Sequence, residues 1–125
     1  MKLKTSYQDP VEDPDADDIR DALRTLDTEE RGFMILSRGD HQFIQSGGSP
    51  ENGFDLEYQD GSTDEHYRAE GDPFSRGEVE QVYIRYLRDE SDWKDEFTWN
   101  EVDLSSNSGC LSALLLLPLI RLIWS

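Results

Sequence analysis

Two histidines and one cysteine are the side chains best suited to catalysis or metal binding, and their spacing favours neither. His41 and His66 stand apart, with no second histidine or cysteine at the short intervals that metal sites require. Asp64 and Glu65 precede His66 and could orient it as an acid–base group. No serine or cysteine occupies a recognisable nucleophile motif, so a catalytic pair is missing. We therefore expect structural or solvent-exposed histidines, no enzymatic activity and no cofactor.

An aspartate series near the N-terminus has the alternate spacing that opens a calcium-binding loop. Asp13, Asp15 and Asp17 match that spacing, but such a loop also needs a glycine and a final glutamate. Asp18 and Arg24 occupy those two positions. The series is better explained as a helix start, with Asp13 as N-cap, a proline next, and acids near the positive end of the helix dipole. We expect no metal site.

The charge balance indicates the kind of partner. The chain has 125 residues, with 28 Asp and Glu against 12 Lys and Arg, so its formal net charge is −16. That excess argues against direct electrostatic binding of nucleic acid and favours a basic protein surface. The length fits one domain, and the 3 Trp, 5 Tyr and 5 Phe supply large side chains for its core. A single cysteine excludes an internal disulfide.

Hydrophobic spacing predicts the first elements that would position the acids. Apolar residues recur at steps of three and four between Ala16 and Leu26, which predicts an amphipathic helix ending near Leu26. Two apolar runs at 33–36 and 42–45 then flank a polar segment and predict a β-hairpin. The Arg-Gly-Asp sequence at 38–40 resembles an integrin-recognition tripeptide, but its position between the runs favours a turn.

Further strands are predicted in the centre of the chain. Over 54–59, apolar residues alternate with Asp55, Glu57 and Gln59, which predicts a strand with one buried and one solvated face. A turn leads to a returning antiparallel strand at 65–69. These elements with the hairpin form a simple meander.

A second helix follows, and its start is well marked. Ser75 and Glu78 have the spacing of a capping box. A broad apolar face follows, made by Val79, Val82, Tyr83, Tyr86 and Leu87. Aromatic residues between 93 and 104 predict one more strand. We therefore predict a single α+β domain over residues 1–104, with two helices packed on an antiparallel sheet of about five strands.

The C-terminal segment 110–125 differs from the rest of the chain. All 28 acids lie between residues 9 and 103, whereas the last 16 residues hold Arg121 as their only charge. The apolar run from Cys110 to Trp124 has 15 residues and contains Pro118, while a membrane span needs about 20. The candidate membrane or oligomer contacts in this run are Leu114, Leu115, Leu116, Leu117, Leu119, Ile120, Leu122, Ile123 and Trp124.

Three interpretations of this tail stay open. It packs on the domain as a final strand or helix, it associates with a membrane, or it forms an oligomer or partner contact. The membrane interpretation makes 105–109 a linker and Cys110 a candidate for acylation. The N-terminus lacks the apolar core of a secretory signal, so we expect a cytoplasmic protein, held at the membrane only through this tail. Because the upstream elements already form a complete pattern, we expect residues 1–104 to fold without it.

The order of elements resembles a known family. A helix with the segment Leu-Arg-Thr-Leu is followed by a hairpin, the strand Phe-Asp-Leu-Glu-Tyr, the helix Val-Tyr-Ile-Arg-Tyr-Leu and an acidic loop before Trp93 and Trp99. Over residues 12–104 this order resembles the first-numbered immunity-protein family of bacterial polymorphic toxin systems. The resemblance implies a small α+β domain that binds and silences a cognate toxin, often one acting on nucleic acid. The apolar tail departs from the family's pattern.

The function expected from these observations is non-enzymatic binding of a basic protein, most simply a toxin. An acidic surface suits the basic groove in which such a toxin would hold phosphates. The alternative is a membrane-associated accessory or adaptor protein anchored by the tail. The candidate partner-binding acids lie in the segments 55–72 and 89–92: Asp55, Glu57, Asp60, Asp64, Glu65, Glu70, Asp72, Asp89, Glu90 and Asp92.

Overall fold

The computed structural model describes residues 1–6, 8–26 and 32–102. The predicted linker at 105–109, the tail at 110–125 and the boundary at residue 104 lie outside these residues. The elements are β1 (Lys2–Thr5), β2 (Val11–Glu12), α1 (Ala16–Thr25), β3 (Phe33–Gly39), β4 (Gln42–Ser49), β5 (Gly53–Phe54), β6 (Glu57–Asp60), β7 (His66–Ala69), α2 (Arg76–Leu87) and β8 (Trp99–Glu101). Two short 3₁₀ turns, Thr63–Glu65 and Asp92–Glu96, precede β7 and β8.

An antiparallel sheet with two helices on one face confirms the predicted α+β class. The strands lie in the order β2-β1-β3-β4-β6-β7-β8, and β5 pairs with β4 beside this path. The sheet is larger than expected because the N-terminus contributes β1 and β2. Leu3 pairs with Leu36 of β3 and is buried, yet it is the only apolar residue of β1, so periodicity did not reveal this strand.

The start of α1 differs from the prediction by two residues. Asp15, not Asp13, is the N-cap: its carboxylate accepts from the amide of Asp18 at 2.9 Å, and the Asp18 carboxylate accepts from the amide of Asp15 at 3.0 Å. Asp13 has a positive φ of 51° and its amide donates to the carbonyl of Met1. The reciprocal bonds of a capping box outweigh the preference for proline directly after the cap.

The capping box of α2 is confirmed. The Ser75 hydroxyl accepts from the amide of Glu78 at 3.2 Å, and the Glu78 carboxylate accepts from the amide of Ser75 at 3.3 Å. The predicted apolar face points into the core, where Tyr83 is fully buried and its hydroxyl donates to the carbonyl of Met34 at 3.1 Å. This bond joins α2 to β3 and fixes the helix against the sheet.

The strand predicted at 54–59 does not have a solvated face. Phe54 and Leu56 lie in the core beneath the helices, as expected, but Glu57 and Gln59 on the opposite face are also buried. That opposite face carries a second, smaller apolar cluster of Phe33, Ile35 and Phe43. Both faces of the sheet are therefore shielded from solvent over β3, β4 and β6.

Candidate protein-binding site

The ten predicted acids do not form one surface. They fall into three groups: Asp60, Asp64 and Glu65 where β6 turns into β7; Asp55, Glu57, Glu70 and Asp72 at the other end of the same hairpin; and Asp89, Glu90 and Asp92 after α2. The antiparallel pairing of β6 and β7 places the first two groups at opposite ends.

Glu57 was predicted as a solvent-side acid, and this is wrong. Its side chain is 7% exposed and lies 2.7 Å from Nε2 of His66, which is itself 2% exposed. Gln59 donates to the carbonyl of His41, which turns its Oε1 toward Nδ1 of His66 at 3.1 Å. Both ring nitrogens of His66 are therefore engaged, Nδ1 with the amide oxygen of Gln59 and Nε2 with the carboxylate of Glu57.

The contacts of His66 with Glu57 and Gln59 also indicate its role. Glu57 and Gln59 hold His66, whereas the adjacent Asp64 and Glu65 do not, so the suggested acid–base orientation is wrong. A ring with both nitrogens engaged and no access to solvent has no free position for a substrate. His66 is a structural residue that satisfies the buried polar groups of β6.

Asp55 and its neighbours are held around one arginine. The guanidinium of Arg68 lies 3.1 Å from the carboxylate of Asp72 and 3.7 Å from that of Glu57. Asp55 is partly buried and accepts from the amide of Gly47 at 2.9 Å. Burial raises the pKa of Asp55 to about 6, against the lowering effect of the Gly47 hydrogen bond. Asp55, Glu57 and Asp72 are therefore held in contacts within the domain.

The acids after α2 are partly neutralised by bases of the domain. Asp89 lies 2.7 Å from Arg38, and Asp92 lies 4.0 Å from Arg85. Arg38 also donates to the carbonyl of Tyr86 and so caps the end of α2. The predicted hairpin turn is confirmed: Arg38 and Gly39 end β3, Asp40 lies in the turn, and Arg38 is engaged within the molecule.

Three aromatic side chains lie together on the helix side of β6, β7 and β8, and three exposed acids lie in β8 or in the 3₁₀ turn before β7. We call this surface the acid–aromatic patch; it consists of Tyr58, Tyr67, Trp99, Asp64, Glu65 and Glu101. The ring of Tyr58 lies 5.0 Å from that of Tyr67 and 4.7 Å from that of Trp99, measured between centroids. Glu101 pairs in register with Tyr67 across the two strands. The aromatic residues are half-buried and the acids are exposed.

The electrostatics of the patch are strongly negative. Burial raises the pKa of the Tyr58 hydroxyl, and Tyr67, Asp60 and Glu65 raise it further. Lys94 lies 3.8 Å from Asp60 and 5.0 Å from the centre of the Tyr58 ring, so Asp60 is partly neutralised. Within the described residues, no base lies at ion-pair distance from the three acids of the patch.

The aromatic part of this patch is rigid. The indole nitrogen of Trp99 donates to the carbonyl of Lys94 at 2.9 Å, which fixes the ring next to Trp93. Rigid aromatic side chains lose little conformational entropy on binding and are enriched where binding energy concentrates. Sequence reasoning assigned these aromatics to the core and omitted Glu101, because alternation alone does not show that the patch lies near a sheet edge.

A shallow cleft of about 260 Å³ lies at the other side of the sheet, between β1, β2 and the β3–β4 turn. Its bases are engaged: Lys2 lies 3.6 Å from Glu12, and Arg38 pairs with Asp89. This cleft offers less unpaired charge than the acid–aromatic patch. The patch is therefore the stronger candidate for partner binding.

Other kinds of site find no support in the described part of the chain. No helix there is long and apolar enough to cross a membrane, and no group of three or more His, Cys, Asp or Glu could hold a metal ion. No protein-family model, curated protein or solved structure matches the chain.

Proposed function

We propose that this chain is a non-enzymatic binding protein for a basic protein partner, specifically a toxin that it neutralises. The observation that carries the proposal is the acid–aromatic patch, where half-buried aromatics adjoin exposed acids that have no base at ion-pair distance within the described residues. Aromatic anchors supply the contact area of such an interface, while unpaired acids select and steer a basic surface.

The net charge of −16 supports the same kind of partner. A toxin that acts on nucleic acid needs a basic groove for phosphates, and an acidic protein can occupy that groove in their place. The likeness of residues 12–104 to an immunity-protein family is a second, separate reason for proposing a toxin.

Co-expression of this chain with the product of the adjacent gene tests the proposal. A toxin and its neutralising protein are expected side by side, so the neighbour alone should arrest growth and the pair should restore it. Tyr67→Ala removes an exposed anchor of the patch and should weaken binding about tenfold or more, the loss typical of an interface anchor.

Two controls make the result specific. Circular dichroism must show that the Tyr67→Ala protein is folded, and Glu51→Gln, in the exposed β4–β5 loop, should bind as the parent does. A neighbour that is harmless alone, or that binds the Tyr67→Ala protein with unchanged affinity, would count against the proposal.

A further inference from the structure

The sheet face opposite the helices is buried without any described helix on it. Phe33, Ile35 and Phe43 form its apolar cluster and are 7%, 1% and 7% exposed. Both helices contribute instead to the larger core on the other face, with Met34, Leu36 and Ile44. Within the described residues, the smaller cluster draws its side chains from β3 and β4 alone.

Neighbouring strands cannot bury an isoleucine to this extent by themselves. Side chains stand perpendicular to a sheet, so a face without a second layer leaves their outer surfaces in water. Burial continues over the polar part of the same face, where Gln45, Gln59 and His66 are 2–3% exposed. Within the described residues no helix or strand supplies this layer, so the residues outside the described ranges are the candidates for it.

Among the residues outside the described ranges, one segment has a sequence suited to cover this sheet face. Besides Tyr7, the chain outside the structure consists of 27–31 and 103–125. The first reads Asp-Thr-Glu-Glu-Arg and is too short and too charged to cover an apolar face. The second contains the aliphatic run at 111–124, which matches the apolar chemistry of the Phe33, Ile35 and Phe43 cluster on β3 and β4.

We propose that the apolar segment 111–124 packs on this sheet face of its own chain. The connection is long enough: the amide of Val102 donates to the carbonyl of His66, so the chain leaves the sheet beside β7. From β7 to β3 is three strand spacings, about 15 Å, whereas the eight residues 103–110 span up to about 26 Å when extended.

This proposal selects one of the three interpretations of the tail. Docking removes apolar surface from water on both the segment and the sheet, as the hydrophobic effect favours. It gives the leucine run a place inside the molecule and replaces the expectation that residues 1–104 are complete without it. The acid–aromatic patch, on the helix side, stays uncovered.

Photo-cross-linking of the full-length chain tests the docking. Phe43 is replaced by p-benzoylphenylalanine, the dilute protein is irradiated, and peptide mapping locates the product. We expect a link within one chain to a peptide from 111–124. The matched control replaces Phe74, on the helix side, where the label should reach Phe97, whose ring lies 5.2 Å from that of Phe74, and not the tail.

If a second copy of the chain covers this sheet face, or if the tail binds a membrane, the cross-linking result is different. Links between two chains that increase with protein concentration would assign the face to a second copy. Links lost on adding phosphatidylcholine vesicles would assign the tail to a membrane. Either result, or the absence of any link to 111–124, would overturn the proposal.

A second full-length variant guards against disturbance by the label. Leu115→Asp with Leu119→Asp replaces two apolar side chains of the segment by charges, which an apolar contact disfavours, whereas Ser112→Asp adds a charge at a position that is already polar. We expect the double variant, and not the control, to lose most of the intrachain cross-link and to bind a hydrophobic dye. Equal cross-linking in both would contradict docking.

Discussion

Asp55 shows how burial changes an acid that the sequence places at the surface. Its carboxylate faces Gly47, and burial raises its pKa from an ordinary 3.8 to about 6. Between these two values the folded protein holds a proton that the unfolded chain has lost. The free energy of unfolding therefore falls as pH rises through this window, and the loss is complete above about pH 6.

Asp55→Asn should remove that loss. The amide oxygen can still accept from Gly47, so we expect the variant to be more stable than the parent by about 1–2 kcal/mol at pH 7.5 and no more stable near pH 3.5. Urea unfolding at both pH values measures the difference. Asp64→Asn, at an exposed acid, is the matched control and should change stability little. A variant less stable than the parent at pH 7.5 would show that the Asp55 charge is needed.

At the scale of elements, α2 is the helix that the sequence described best. Its capping box and apolar spacing are local signals, and both are present in the structure. Two positions of the predicted apolar face differ in burial, however. Tyr83 is fully buried and hydrogen-bonded to Met34, whereas Leu87 is half-buried. Helical spacing identifies the face but not how deeply each side chain is buried.

Substitutions in α2 should show how much Tyr83 and Leu87 each contribute to the free energy of unfolding. Tyr83→Ala should cost about 3–5 kcal/mol, because it leaves a large cavity, and Tyr83→Phe about 1 kcal/mol for the lost hydrogen bond. Leu87→Ala should cost about 1 kcal/mol because the site is partly open to solvent. Denaturant unfolding of the three variants measures their losses of stability and so ranks them. A larger loss for Leu87→Ala than for Tyr83→Ala would mean that the helix face is misplaced.

The elements that the sequence missed have a common physical reason. β1 has one apolar residue, and it is a strand because β3 supplies its partner, which no local pattern records. A partner on another strand also explains the wrong prediction for Glu57. Its alternation with Tyr58 predicts solvent exposure, but in the structure its carboxylate contacts His66 on the neighbouring strand. In the site, the candidate acids were predicted in the segments 55–72 and 89–92, but only their unequal burial and pairing with bases distinguish one acid from another.

At the scale of the whole molecule, the acids and the longest apolar run lie in different parts of the chain. The 28 acids lie between residues 9 and 103, and many are paired with the few bases of the domain. In the acid–aromatic patch, exposed acids that have no such base among the described residues adjoin aromatic surface. Under the proposed function, the long-range negative field attracts a basic partner before contact, and the patch then determines where it binds.

The association rate of this chain with the adjacent gene's product, measured by stopped flow over a range of salt, tests the central claim most directly. The patch variant Asp64→Asn, Glu65→Gln, Glu101→Gln is compared with a variant of equal charge at other exposed positions, Asp9→Asn, Glu12→Gln, Glu51→Gln. We expect the parent's rate constant to fall roughly tenfold or more as ionic strength rises past about 0.1 M, and the patch variant to be slower than its control at low salt. A rate independent of salt, or equal rates for the two variants, would contradict the account.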